Sequence, residues 1–206
     1  MAEIDFRKTL ERLYNPPIGE FASVEVPPMQ FVKVDGEGDP NTAPAYRSAV
    51  EWLYGVSYAM KFAAKAELGK DYVVPPLEGV WWADDPMSFV MRQKDRWRWT
   101  MMIMAPDFVV PAMFENALAK TARKHRRPPP QSLRLEPYDE GLSLQTLHVG
   151  SYDDEGPILA RLHAEVMPNR EMTFNGPHHE IYLSDPRRTE PARLKTILRQ
   201  PVKAAA

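Results

Sequence analysis

The sequence predicts an α+β fold: two strand–helix–strand–strand repeats sharing an antiparallel sheet, with helices on one face and a cleft on the other. Three observations lead there. The order of hydrophobic patterns, extended, then helical, then extended twice, occurs twice along 206 residues. The punctuation recurs with it: VDGEGDP and YDDEGP precede the two helical segments, EGVWWADDP and EIYLSDP both run from a glutamate to an Asp-Pro turn, and WTMMIMAP parallels KTILRQP. At 44% hydrophobic and 26% charged residues, the chain also has enough apolar material for a substantial core. Residues 1–206 are read as one domain, with repeat one at about 20–125 and repeat two at about 132–204.

The elements follow in order. Ile4, Phe6, Leu10 and Leu13 have helical spacing and predict a short amphipathic helix over 4–14. Residues 22–34 read as an extended strand interrupted by Pro27-Pro28. A long helix is expected over about 43–68, capped near Asn41-Thr42 and stopped by Gly69. Strands are expected at about 77–83 and 97–105, and a helix at about 111–124 before the triple proline. In the second half, 142–149 predicts a strand, DDEG a turn and cap, and about 157–167 a short helix. HHEIYLSD and LKTILRQPV complete the repeat as strands.

Composition removes several classes of function. The net charge is −2 with acids and bases interspersed, which gives no electrostatic footprint for nucleic acid. There is no cysteine, so disulfides, thiolate zinc sites and thiol nucleophiles are out. No run of 18 apolar residues and no apolar N-terminal core appears, so no membrane span is expected and the protein is placed in the cytoplasm. No phosphate-binding loop, GxSxG elbow or dinucleotide fingerprint occurs, and no cofactor is expected. The oligomeric state has no sequence signal.

What remains is a set of acids and aromatics. On a strand alternate residues share a face, so His178, Glu180 and Tyr182 point one way and His179, Ile181 and Leu183 the other. The same rule sets Glu78, Val80 and Trp82 together. Across the internal repeat these two sets would meet in the cleft, with Glu180 and Glu78 as catalytic candidates and Trp82, Tyr182 and His178 as its walls. Ordinary roles are available too: Glu180 bonding backbone or arginine groups, Glu78 solvated at a strand start. Trp99 joins the ligand-binding candidates because tryptophan cluster density between 81 and 99 favours planar or cationic ligands, through stacking and cation–π attraction of about 0.5–2 kcal/mol. Tyr54 and Tyr58 on the long helix either close the end of the cleft or pack the sheet. His148 is either a ligand contact or a histidine bonded within the sheet. Adjacent His178 and His179 face apart and cannot chelate one ion together; His178, Glu180 and a remote His148 could, but no metal is assigned.

Four stretches carry a family resemblance: VPPMQFVKVDGEGDPN, YVVPPLEGVWW, LHVGSYDDEGP and HHEIYLSDPRRTEPARLKTILRQPV. With them, roughly residues 5–203 resemble the GyrI-like small-molecule-binding domains, and within these the stand-alone branch that includes cyclopropanoid cyclopropyl hydrolases. The resemblance implies a duplicated fold whose cleft takes aromatic, often cationic, drug-like molecules. It implies that Glu180 occupies the family's buried-carboxylate position. It further implies hydrolysis of the strained cyclopropane of DNA-alkylating compounds by carboxylate-activated water, with Glu180 as base and Glu78 or a tyrosine assisting. The alternative reading is a module that binds or sequesters drugs, or a gyrase-inhibitor-like interaction protein, without chemistry.

Overall fold

The computed structural model describes residues 3–85 and 93–205. Pro86, in the first of the two Asp-Pro turns, lies outside the described residues. The protein is of mixed α+β class, and every pairing between its named strands is antiparallel. The chain folds as two compact units, Met1–Thr9 with Met29–Tyr138, and Leu10–Pro28 with Asp139–Ala206.

The N-terminal helix expected over 4–14 is two single turns, α1 (Phe6–Thr9) and α2 (Glu11–Tyr14), broken at Leu10. Ile4 forms a β-bridge with Tyr72, and Phe6 packs edge-on to the Tyr72 ring at 6.2 Å. Leu13 and Tyr14 are buried in the other unit. The apolar residues serve two cores, so one straight helix cannot satisfy them.

Pro27-Pro28 splits the first extended run into β1 (Ala22–Val26) and β2 (Met29–Glu37), and these pair differently. In the first unit β2 lies between β4 (Arg98–Ala105) and β5 (Arg134–Tyr138), with β3 (Leu77–Trp82) on the far side of β4. Helix α3 (Pro44–Leu68) buries Ala49, Trp52, Leu53, Val56, Met60 and Ala64, the three-to-four spacing of a helix face, and packs on β2 and β4. The expected cap at Asn41-Thr42 does not form: the N-cap is Ala43, which makes no side-chain capping hydrogen bond, and Pro44 starts the helix after a turn in which Asp39 Oδ1 accepts the Asn41 N–H at 2.9 Å. Gly69 ends it in the left-handed region at φ 65°. Helix α4 (Pro111–His125) packs beside α3 where Gly55 admits it, since a Cβ there would come within 2.8 Å of Thr121. Met101, Met102 and Met104 on the central strand β4 are buried, which makes these methionines core filler.

In the second unit β1 pairs with β6 (Gly141–Val149), β6 with β9 (Lys195–Ala204), and β9 with β8 (His178–Tyr182). The short β7 (Met172–Phe174) pairs with the C-terminal end of β9. A continuous helical segment begins as α5 (Gly156–Arg161), widens through a π-turn (Leu162–Val166) and ends as α6 (Met167–Asn169). Leu162 and Met167 are five apart, which an α-helix would splay to different faces. The wider π-turn lets both join the core of Phe21, Leu144 and Val202.

Candidate functional site

The site is built on β8, and what fixes β8 is a charged network in the core of the second unit. His179 and Ile181 are fully buried opposite Arg199 and Ile197 of β9. His179 Nδ1 lies 2.8 Å from Glu140 Oε1, and Arg199 Nη1 donates to Glu140 Oε2 at 3.1 Å. Arg199 Nε donates to Gln145 at 3.0 Å and Nη2 to the Leu13 carbonyl at 2.7 Å. Burial pushes the Glu140 carboxyl upward, but the charges and hydrogen bonds of His179 and Arg199 outweigh it and hold it at about 2. A shift of β8 by one residue would bury a neighbour in place of His179 and strand both charges, so the network sets the register.

With His179 and Ile181 inward, His178, Glu180 and Tyr182 share the opposite face, as strand alternation predicts. The Tyr182 hydroxyl donates to Glu180 Oε2 at 2.8 Å, and His178 Nε2 lies 3.4 Å from Glu180 Oε1. The Glu180 and His178 side chains are each 15% exposed, and both ring nitrogens of His178 are buried without a hydrogen-bond partner among the described residues. The carboxylate is thus oriented by the Tyr182 hydroxyl, two positions away on its own strand, with the His178 ring beside it. It keeps lone pairs for a water or a ligand.

Two further residues of this unit were not singled out from the sequence. Tyr152 packs edge-on to Tyr182, ring centroids 5.8 Å apart. Burial first, and then the charges of Glu155, Glu180 and Asp185, push its phenol up to about 12. Glu155 is 5% exposed and makes no capping hydrogen bond to the helix it precedes. The YDDEG stretch reads as turn and cap chemistry, and only the placement of β8 shows that its phenol lies in Glu180's field. Asp185 is held below the usual carboxylate range by its hydrogen bonds to Arg187, although burial opposes this slightly.

Glu78 and Trp82 lie on β3 in the first unit, on the face opposite Trp81; Glu78 is 1% exposed and Trp82 half-buried. Trp99 is fully buried in register with Trp81, with Tyr46 of α3 against both indoles at 5.3 and 6.2 Å. Its indole N–H donates to the Gly38 carbonyl at 3.3 Å. Tyr54 and Tyr58 stack at 6.4 Å in a ladder that continues to Phe62, and Tyr58 is 47% exposed. His148 Nε2 lies 3.0 Å from the Ser151 carbonyl, a bond that shapes the turn leading to Tyr152. Among the described residues no group of three His, Asp or Glu side chains is arranged to hold a metal ion. No helix among them is long and apolar enough to cross a membrane.

A buried, oriented carboxylate followed by an aromatic is what the motif resemblance implies, and comparison with known proteins decides the family. The model of the GyrI-like small molecule binding domain matches residues 20–203. The chain belongs to the GyrI-like family. An uncharacterized conserved protein from Listeria innocua is 37% identical over 98% of this chain and all of its own, with a TM-score of 0.89. Two structures of hydrolases from Listeria innocua are each 35% identical over the same shares, with TM-scores of 0.84 and 0.87. The C-terminal domain of EcmrR, 10% identical over 90% of this chain and 98% of its own with a TM-score of 0.56, shares the fold alone. No curated protein matches. As a GyrI-like domain the chain is a small-molecule binder.

Proposed function

We propose that this GyrI-like protein is a hydrolase that opens the strained cyclopropane of cyclopropanoid DNA-alkylating compounds. The observation that carries the reading is the Glu180 carboxylate, mostly buried and fixed by the Tyr182 hydroxyl at 2.8 Å. Glu180 removes a proton from water as the water oxygen attacks the ring methylene. The ring C–C bond breaks and its electron pair moves to the dienone oxygen, which takes up a proton. Positioned acid–base help of this kind contributes about 10²–10⁴-fold. Ring strain supplies much of the remaining drive. The 35% identity to hydrolases over nearly the whole chain supports hydrolysis, and the motif resemblance supports the substrate class.

Glu78 enters the proposal as a second acidic group and Trp82 as an aromatic wall, tested by Glu78→Gln and Trp82→Ala. The latter should weaken binding by about 1–3 kcal/mol. One observation favours the alternative of capture without chemistry: Glu155 and Glu180 both place negative charge near Tyr152, a setting that attracts aromatic cations. Mass spectrometry separates the readings. Incubation with a cyclopropanoid alkylator gives a product heavier by one water if the protein is the hydrolase, and unchanged ligand if it only binds.

A further inference from the structure

We propose that the Tyr152–Tyr182–Glu180 cluster also hydrolyses epoxides, neutral three-membered cyclic ethers, to vicinal diols. This rests on the reading of Glu180 as the base that activates water. Cyclopropane opening sends its electron pair to a remote oxygen. In an epoxide the leaving oxygen is bonded to the attacked carbon, so the proton donor must stand close to the base. In the second unit a second phenol packs beside the one that holds the base, near enough to feel the Glu180 charge. Tyr182 is committed to Glu180 Oε2 at 2.8 Å, and the second phenol, Tyr152, sits edge-on to it at 5.8 Å. One phenol orients the base, and the other, with its residue 37% exposed, is within reach of a ligand.

The acidity of Tyr152 fits the same leaving group. At about 12 the phenol keeps its proton at neutral pH. An alkoxide is about as basic as hydroxide, whose conjugate acid lies near 15.7, so the proton passes downhill from Tyr152 to the opened ring. A phenolate, with a conjugate acid near 10, would leave that proton where it is. The steps balance. Glu180 takes a proton from water while the water oxygen bonds to the ring carbon. The C–O bond breaks, its electron pair stays on oxygen, and that oxygen takes the Tyr152 proton. Protonated Glu180 then returns a proton to the Tyr152 phenolate, and one water is consumed per diol.

The test is wild-type protein with styrene oxide in ¹⁸O-labelled water, beside a cyclopropanoid alkylator under the same conditions. The expected result is labelled diol above the protein-free control, falling by about 10²-fold in Tyr152→Phe and in Glu180→Gln at unchanged melting temperature. A hydrated cyclopropanoid without diol overturns this inference and leaves the hydrolase reading standing. Failure on both substrates overturns the two together. Diol formation that survives Tyr152→Phe overturns the donor assignment, and the wild-type comparison needs no variant to fold.

Discussion

Replacing Glu140 by glutamine tests the network that presents the site. The carboxylate accepts from His179 at 2.8 Å and from Arg199 at 3.1 Å, and each of these side chains is 1% exposed. Glutamine keeps the shape but removes the negative charge, and Arg199 stays buried without its counter-charge. Removing one partner of such a pair costs about 3–5 kcal/mol. Linkage gives an independent figure. The carboxyl falls from an ordinary 4.5 to about 2 on folding. At about 1.4 kcal/mol per pH unit that is roughly 3 kcal/mol of stability. Because the folded value is depressed, this contribution is complete above about pH 5 and is lost as pH falls toward 2. Urea unfolding followed by tryptophan fluorescence at pH 7, 5 and 3 measures both. The wild type should lose stability across the acid range. Glu140→Gln should begin about 3–5 kcal/mol lower and lack that component. A variant within 1 kcal/mol of wild type at pH 7, or with the wild-type acid slope, would refute the reasoning.

Three further outcomes are expected. Gly36→Ala should destabilise by about 1–3 kcal/mol in thermal melts, because its Cβ would overlap the six-membered ring of Trp99. Tyr182→Phe removes the hydroxyl that holds Glu180 and should lower kcat by about tenfold or more with little change in KM, read from steady-state hydrolysis. Chelator treatment should leave hydrolysis unchanged, since the proposed mechanism uses a carboxylate and no metal; loss of activity on chelation would overturn it and make His148, His178 and Glu180 the candidate metal ligands.

Much of the fold was legible because its signals are local. Proline pairs, the Gly69 stop and the helical spacing of α3 are written in short windows, and the structure keeps them within a residue or two. The misses have physical causes. Strand β5 contains Pro137, which breaks the usual strand signal and is tolerated because β5 pairs on one side only, with β2. Strand β7 is three residues long, too short for alternation to register. The split of the first helix reflects two separate cores drawing on neighbouring residues. At the site, alternation was enough to put His178, Glu180 and Tyr182 on one face. It could not reveal that His179 is clamped by Glu140, 39 residues earlier, or that Tyr152 lies in the field of Glu155 and Glu180. Those relations depend on strand pairing at long range, and single windows carry no record of it.

The most direct measurement of the central claim is single-turnover hydrolysis of a cyclopropanoid alkylator by Glu180→Gln, alongside its affinity for a neutral aromatic ligand. Glutamine keeps the hydrogen bond from Tyr182 and removes the base. The account predicts a rate lower by about 10²-fold or more at nearly unchanged neutral-ligand affinity. A variant that hydrates the substrate at the wild-type rate would contradict it.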